Sequence, residues 1–283
     1  MRNLETPWPN FIGVGMERCG TSWVYKVLAS HPDIWVPPVK ELHYFDAIDP
    51  SISRDDPRYK RHIKARLKHK LAAIRNIQER PELYKNTLLE SLSWDLAYFT
   101  GKKNDDWYGR LFDEKYTKGR VSGEITPAYA NLSADLIDQK FRNKKNLKVI
   151  LMTRLPESRL RSGLIHYFKN EMGRDLYAVH EDEMIAYLNR QDVQEKSNSG
   201  EIVKKWAAAV HKDQLFIGDL EDIKSSPEAF VSRLFQFLGV DEKMIISTRL
   251  LNKKVNNYSH KDDIIPENVE KEIFLITQKM QIS

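Results

Sequence analysis

The sequence predicts an α/β protein with a parallel sheet and helices on both of its faces. Three short apolar runs, at residues 11–14, 148–153 and 214–219, have the composition of strands that are buried on both sides. Each run is followed by a segment with helical spacing of its apolar residues, as at residues 23–28. Because parallel strands need a crossover connection, strands that alternate with helices favour a parallel sheet.

Length and composition favour one domain, residues 1–283, with a helical insertion at residues 50–118. The formal net charge of +5 is compatible with anionic ligands but is too small to indicate a nucleic-acid partner. The single cysteine, Cys19, excludes an intrachain disulfide and fits a reducing compartment. Because we find no apolar leader and no segment with the length of a membrane span, we expect a cytoplasmic protein.

The loop after the first predicted strand has the features of an anion site. Gly15 and Gly20 bracket a tight turn, where a side chain would block close approach of the backbone. Thr21 and Ser22 are expected to open the following helix and to cap its free N–H groups. Backbone amides at a helix N-terminus, together with Arg18 inside the loop, indicate a site for phosphate.

The spacing of this loop is similar to that of a P-loop, with one departure. Thr21 stands where nucleotide-cleaving P-loops carry a lysine, and the cation lies inside the loop instead, at Arg18. One alternative is a glycine turn without a ligand. Another is a P-loop-like kinase or nucleotide hydrolase, against which the missing lysine argues.

A second group of polar residues follows the strand predicted at residues 33–36. Lys40, Glu41 and His43 lie among apolar residues near the end of this strand, where ligands of open α/β sheets gather. Glu41 is a candidate general base, because burial beside aromatic side chains raises the pKa of a carboxyl group, although the charge of Lys40 opposes that rise. The alternative is a surface turn that carries an ion pair.

These two segments resemble the PAPS-dependent sulfotransferases, in particular their glycan-type and related bacterial branch. Residues 17–23, Glu-Arg-Cys-Gly-Thr-Ser-Trp, are similar to the phosphosulfate-binding loop of that family, and residues 40–46 are similar to its Lys-Glu-x-His-Phe-Phe signature. The resemblance implies the P-loop-like sulfotransferase fold, the cofactor 3′-phosphoadenosine 5′-phosphosulfate (PAPS) and no metal. It also implies Glu41 as the base, His43 as a second catalytic candidate, and acceptor contacts for Lys40 and His43. The cofactor contacts implied in the loop are Arg18, Cys19, Gly20, Thr21, Ser22 and Trp23.

The resemblance continues at residues 123–129, Gly-Glu-Ile-Thr-Pro-Ala-Tyr. They are similar to the Gly-Glu-Lys-Thr-Pro-x-Tyr segment of the family, which lies near the acceptor, and this implies acceptor contacts for Thr126 and Tyr129. Ile125 replaces the lysine that is often present there, which argues against a strongly acidic acceptor group at this point. The alternative is a strand end and turn without ligand contact.

Arg154 and Ser162 match a further signature, Arg-x7-Ser, that holds the 3′-phosphate of the nucleotide in the family. An arginine at the end of a strand and a serine in the next helix can converge on one anion. Arg159 and Arg161 are weaker candidates and are expected to be solvated helix arginines. A late basic loop closes over the nucleotide in sulfotransferases, and its place is taken here by Lys253, Lys254 and Asn256.

The insertion contains a dense basic stretch at residues 54–70, followed by aromatic residues between 94 and 108. We interpret it as a helical roof over the acceptor cleft, whose cations steer an anionic acceptor or the cofactor; the alternative is a solvated helix face. The aromatic side chains are expected in the core. The remaining alternative for the chain is a noncatalytic basic module that binds glycans or nucleic acid through residues 54–70.

The function implied is in-line transfer of a sulfuryl group from PAPS to a hydroxyl or amine of a sugar, lipid or small metabolite. By analogy with phosphoryl transfer, charge develops on the departing phosphate. Arg18, the loop amides and the hydroxyls of Thr21 and Ser22 are expected to neutralise it.

Overall fold

In the part of the chain that the structure describes, five parallel strands form one sheet in the order β2-β3-β1-β4-β5. Phe11 of the central strand β1 lies opposite Gly123 on one side and Lys148 on the other. The edge strand β2 has only two residues, fewer than the sequence predicts. The strands are β1 (Phe11–Gly15), β2 (Ile34–Trp35), β3 (Val121–Ile125), β4 (Lys148–Thr153) and β5 (Leu215–Asp219).

The computed structural model describes residues 8–52, 85–242, 251 and 264–282. The basic stretch at residues 54–70 and the late basic loop with Lys253, Lys254 and Asn256 lie outside these residues. The roles predicted for them therefore stay predictions.

The central strand is buried on both of its faces. Phe11, Ile12 and Val14 are all fully buried. Because successive side chains of a strand point to opposite faces of the sheet, burial of neighbours means that both faces are covered. The middle of β4 is buried in the same way. The predicted α/β class with a parallel sheet is confirmed.

The helices lie between and after the strands, and two of their ends follow the sequence signals. The hydroxyl of Ser133 accepts a hydrogen bond from the amide of Leu136 at 3.3 Å and so caps a helix, as predicted. Gly239, with φ of 77°, ends another. The helices are α1 (Thr21–Ser30), α2 (Phe45–Ile48), α3 (Lys85–Phe99), α4 (Asp105–Arg110), α5 (Glu114–Thr117), α6 (Ala134–Phe141), α7 (Pro156–His166), α8 (Glu181–Leu188), α9 (Gln191–Glu195), α10 (Ser199–Ala209), α11 (Leu220–Ser225), α12 (Pro227–Leu238) and α13 (Glu267–Ile282).

The described part of the predicted insertion is helical and adds to the core. Trp94, Tyr98, Trp107 and Tyr108 of α3 and α4 are buried, as expected from their spacing. The same expectation is wrong for Phe99, which lies at the end of α3 and is 37% exposed. The indole nitrogen of Trp94 donates to the carbonyl oxygen of Leu111 at 3.0 Å, which satisfies its one polar atom. These aromatic side chains therefore join the insertion to the sheet domain.

A second apolar cluster lies beside the sheet and holds α7 in place. Its buried members come from α7, α8, α9, α13 and the segment between α7 and α8, and include Leu160, Leu164, Leu188 and Ile273. The C-terminal helix α13, predicted from the sequence, thus packs on the helix that carries Ser162. Among the helices of the described ranges, we find none that combines the length and the apolar character needed to cross a bilayer.

Candidate active site

Two predicted phosphate-binding segments meet where the connections of the sheet diverge. The chain passes from β1 to β2 and β3 on one side, and from β4 to β5 on the other. In open parallel sheets, ligands bind at such a point, beyond the carboxyl ends of the strands. Arg18 follows β1 and Arg154 follows β4, so both lie at this edge.

Direct contacts join these segments. Nη1 of Arg154 donates a hydrogen bond to the carbonyl oxygen of Arg18 at 3.2 Å. Nε of Arg18 donates to Oγ of Ser162 in α7, also at 3.2 Å. Three residues that the sequence assigns to the nucleotide therefore form one cluster.

The two glycines of the loop are required by the local geometry. A Cβ atom on Gly15 would lie 2.4 Å from Cβ of Ala130 and 2.9 Å from the carbonyl oxygen of Pro127. Gly20 precedes α1 with φ of 85°, in the left-handed region that favours glycine. The close approach and the turn explain the glycine spacing of the loop.

The prediction that Thr21 and Ser22 cap α1 is wrong. They are the first two residues of the helix, whose N-cap is Gly20, and no side chain caps this end within the described ranges. Glycine in the left-handed conformation carries no side-chain acceptor for the amides. The amide of Trp23 donates to the carbonyl oxygen of Gly20, but the amides of Thr21 and Ser22 have no acceptor among the described residues and are available for an anion, which fits the predicted role of the loop.

Arg154 and Arg18 could bind a second anionic group of a ligand, in addition to the one expected at the amides of α1. Burial lowers the pKa of Arg154, and its Nε is buried without a hydrogen-bond partner in the part of the chain that the structure describes. A buried donor without an acceptor is costly, so an oxygen atom of a ligand would be favourable there. Arg18 has φ of 69°, and its contacts with Arg154 and Ser162 stabilise this uncommon backbone conformation.

Two other residues of the loop segment pack into the protein. The thiol of Cys19 is fully buried, and burial raises its pKa to about 12, which leaves it unreactive at neutral pH. The predicted cofactor contact of Cys19 therefore rests on its backbone. Trp23 is also buried, and its indole nitrogen donates to the carbonyl oxygen of Leu251 at 3.3 Å. This bond ties α1 to the residue that comes shortly before the late basic loop.

The two further arginines of α7 do not behave as solvated helix arginines, so that prediction is wrong. Arg159 is only 4% exposed, and its Nη1 donates to Oγ of Ser197 at 2.9 Å. The helices α8 and α9 cover this side of α7, which explains its burial. Arg161 is half-buried and binds Glu270 of α13, with 2.6 Å between Nη2 and Oε2. Their charges are thus used within the protein.

The charged side chains of residues 40–46, called the base segment below, lie in a row. Glu41 is paired with Lys40, and its Oε2 lies 3.6 Å from Nε2 of His43. Nδ1 of His43 lies 2.6 Å from Oδ2 of Asp46 at the start of α2. The structure brings Lys40, Glu41 and His43 together, as the sequence predicts, and adds Asp46, to which the sequence assigned no role.

These partners set the charges of Glu41 and His43. Burial alone would raise the pKa of Glu41, but the hydrogen bond with His43 and the charge of Lys40 outweigh burial and lower the pKa to about 2. Burial would lower the pKa of His43, but Asp46 and Glu41 raise it to about 9. At neutral pH the carboxylate is therefore ionised and the imidazole is protonated. The sequence predicts that burial raises the pKa of Glu41 and that Lys40 opposes this rise. In the structure, Lys40 and His43 together lower the pKa by more than burial raises it.

Thr126 and Tyr129 are fully buried and bound within the protein. Oγ1 of Thr126 donates to Oε2 of Glu124 at 2.6 Å, and the hydroxyl of Tyr129 donates to Oε1 of Glu124 at 2.9 Å. Their acceptor contact stays a prediction. Glu124 is a residue that the sequence analysis passed over, although a carboxylate within a buried strand is itself a signal, because it requires partners.

Comparisons with known proteins agree with this arrangement. A sequence profile of the Sulfotransferase family matches residues 9–243. A solved sulfotransferase from Alicyclobacillus acidocaldarius has a TM-score of 0.55 at 17% identity, covering 96% of this chain and 92% of its own. The sulfotransferase domain of the Synechococcus PCC 7002 olefin synthase has a TM-score of 0.51 at 16% identity, covering 99% and 96%.

A third solved structure, the sulfotransferase domain from the curacin biosynthetic pathway, has a TM-score of 0.51 at 14% identity, covering 97% of this chain and 98% of its own. A comparison with curated protein sequences finds no match. The three structures confirm the predicted P-loop-like sulfotransferase fold. Because the family profile covers most of the sequence, including the loop, the base segment and β4, the chain belongs to the sulfotransferase family.

Proposed function

We propose that the protein transfers a sulfuryl group from PAPS to a hydroxyl or amine group of an acceptor. The observation that carries this proposal is a contact between two segments. Arg18 of the loop at residues 15–22, called the anion loop below, lies 3.2 Å from Ser162, which with Arg154 forms a second cationic pocket. Neighbouring cationic pockets suit a nucleotide with phosphate groups on both its 5′ and 3′ sides. A nucleoside triphosphate carries its phosphates on one side only, which argues against a kinase.

PAPS, when bound, supplies the sulfuryl group and is left as 3′-phosphoadenosine 5′-phosphate (PAP). The guanidinium of Arg18, the amides at the start of α1 and the hydroxyls of Thr21 and Ser22 stabilise negative charge on the 5′ side. Arg154 and Ser162 hold the 3′-phosphate, for which Nε of Arg154, without an acceptor among the described residues, is a suitable donor. The remaining residues proposed for the nucleotide site are Cys19, Gly20, Trp23, Lys253, Lys254 and Asn256.

Glu41 takes the proton from the acceptor group. Its carboxylate is ionised at neutral pH, so it is in the state that accepts a proton. The charge of Lys40 makes it a weak base in the free protein, and an acceptor that replaces Lys40 beside the carboxylate would raise the pKa of Glu41. His43, held by Asp46, orients the carboxylate.

The acceptor lies on the side of the base segment, near Lys40, His43, Thr126 and Tyr129. The Lys-Glu-x-His order supports an assignment to the glycan-type and related bacterial branch, with an alcohol or amine on a sugar, lipid or small metabolite as substrate. We also propose that residues 1–283 form one domain in which residues 50–118 approach this cleft.

Incubation of the protein with PAPS labelled in its sulfuryl group, together with a cell extract and a glycan panel, tests the proposal. We expect a labelled product with wild-type protein and none with Arg18→Ala. A thermal shift with ATP but not with PAPS or PAP would contradict it in favour of a kinase. Ligand binding that survives loss of Arg18 and Arg154 but requires residues 54–70 would favour a noncatalytic module.

A further inference from the structure

The buried carboxylate at the end of β3 is saturated with hydrogen bonds. Glu124 is 1% exposed. Its Oε2 accepts from Oγ1 of Thr126 at 2.6 Å and from the amide of Leu42 at 3.4 Å. Its Oε1 accepts from the hydroxyls of Tyr129 at 2.9 Å and Tyr108 at 3.1 Å. A carboxylate has about four acceptor positions, so each is used here.

This carboxylate is connected to the base segment by two backbone amides. The amide of Leu42 binds Glu124 directly, and the amide of Tyr44 donates to the hydroxyl of Tyr129 at 2.9 Å. All of these groups are buried. In such surroundings, hydrogen bonds have well-defined geometry and are costly to leave unmade.

The two amides flank residues with an uncommon backbone conformation. Glu41 and His43 have φ of 64° and 52°, in the left-handed region that non-glycine residues rarely adopt. Such conformations cost on the order of 1 kcal/mol each and persist where the surrounding contacts hold them. Leu42 and Tyr44 come directly after these residues. The hydrogen bonds of their amides therefore stabilise the left-handed conformations of Glu41 and His43, which bring these two side chains together.

The turn that contains Tyr129 also contacts the anion loop. Tyr129 belongs to the 3-10 turn Pro127–Asn131, and the backbone of Gly15 packs against it, with room for no Cβ atom beside Ala130. One rigid turn therefore lies between the start of the anion loop and the base segment. Its contacts on both sides fix the separation of the two.

We propose that Glu124 and Tyr129 are positioning residues that hold the amides of Leu42 and Tyr44 and so place the Glu41 carboxylate relative to the anion loop. For the role of Glu41 as a base, this rests on the proposed function. It gives the buried segment at residues 123–129 a task that is distinct from contact with the acceptor.

A matched pair of variants tests the proposal. Tyr129→Phe and Tyr108→Phe each remove one buried hydroxyl from the same carboxylate oxygen. Within the described ranges, only the hydroxyl of Tyr129 also accepts a hydrogen bond from the base segment, whereas Tyr108 contacts that segment through its ring, which phenylalanine retains. We expect Tyr129→Phe to lower kcat about 10-fold or more with an unchanged KM for PAPS, because small displacements of a base are costly. Tyr108→Phe should stay within about 3-fold of wild type, since it keeps the ring and removes no hydrogen bond to the backbone of the base segment. Thermal unfolding measures how much stability each variant loses.

A second measurement needs no activity. The pKa of His43 is followed by NMR in the full-length protein, with its signal assigned from the spectrum of His43→Gln. The charged groups around it are Glu41 and Asp46, with Lys40 beside Glu41 and Lys103 near Asp46. In Tyr129→Phe, release of the segment should move this pKa from about 9 towards 6.5, whereas Tyr108→Phe should leave it unchanged. Glu124→Gln, which cannot accept four hydrogen bonds, should act in the same direction as Tyr129→Phe.

Equal effects of Tyr129→Phe and Tyr108→Phe on kcat and on the titration of His43 would overturn the proposal, because the hydroxyl would then serve stability alone. If Tyr129→Phe does not fold, Glu124→Gln decides by the same titration. The two proposals can fail separately. If wild type transfers no sulfate, but the titration of His43 changes in Tyr129→Phe and Glu124→Gln and not in Tyr108→Phe, the proposed function is rejected and the positioning role is supported.

Discussion

Nε of Arg18 lies 3.2 Å from Oγ of Ser162, although 144 residues separate them in the chain. The contact joins the loop after β1 to the helix after β4. Two segments that the sequence assigns to opposite ends of one nucleotide are thus neighbours at the same edge of the sheet. Had the fold placed them at opposite edges, a shared nucleotide would be excluded.

Removal of the carboxylate of Glu41 should abolish most turnover and leave nucleotide binding intact. In Glu41→Gln we expect kcat to fall by about 10²- to 10⁴-fold, the usual contribution of a positioned base, with unchanged affinity for PAP. The rate is measured with the acceptor identified by sulfuryl labelling. Glu201→Gln, at an exposed glutamate of α10, is the control and should keep wild-type rates. Wild-type turnover in Glu41→Gln would reject its role as base.

The pH dependence of kcat/KM separates the two candidate bases. With the pKa of Glu41 at about 2, a glutamate base is fully ionised at pH 5, so kcat/KM for an alcohol acceptor, which does not itself titrate in this range, should be flat between pH 5 and 8. With the pKa of His43 at about 9, a histidine base would make kcat/KM rise about tenfold per pH unit over that range. We expect the flat profile. A steep rise towards pH 9 would transfer the role of base to His43.

His43 should also make the stability of the protein depend on pH. Its pKa is higher in the folded protein than its ordinary value of 6.5, so its stabilising effect is complete below pH 6.5 and is lost as the pH rises through 9. The free energy of unfolding of wild type should therefore fall relative to that of His43→Gln by about 3 kcal/mol across this window. Urea unfolding at pH 6 and pH 9.5 measures the difference. A constant difference would show that the pairing with Asp46 and Glu41 is absent in solution.

Gly15→Ala should be more destabilising than a glycine replacement without a steric conflict. Its Cβ atom would overlap Ala130 and the carbonyl oxygen of Pro127, whereas a Cβ atom on Gly173 meets nothing within 4 Å in the described ranges. Gly173 has φ of 66°, so Gly173→Ala reports the cost of backbone strain alone. We expect Gly15→Ala to cost about 1–3 kcal/mol more in urea unfolding, as is typical of overpacking. Equal costs would show that the close approach is absent.

Local signals in the sequence were sufficient to predict β1, β4, two helix ends and the glycine positions of the loop after β1. Apolar runs marked β1 and β4, Ser133 and Gly239 marked helix ends, and the glycine spacing marked the anion loop. Each of these depends on residues within a few positions of one another.

Features that depend on packing between distant segments could not be predicted from the sequence. Arg159 and Arg161 are two positions apart on α7, and only the helices that cover one side decide that Arg159 is buried. The sign of the pKa shift of Glu41 depends on its distance from His43, which spacing does not give. Glu124 has partners in the turn after β3, in α4 and in the base segment, and the last two reach it only in the fold.

The most direct test of the account compares the binding of PAP and adenosine 5′-phosphate, which differ only in the 3′-phosphate, by titration calorimetry. We predict that wild type binds PAP about 10- to 100-fold more tightly, the effect of charge-assisted hydrogen bonds, and that Arg154→Ala removes the difference. Arg161→Ala, which alters an arginine that binds Glu270, should retain it. Equal affinities in wild type, or a difference that survives Arg154→Ala, would contradict the account.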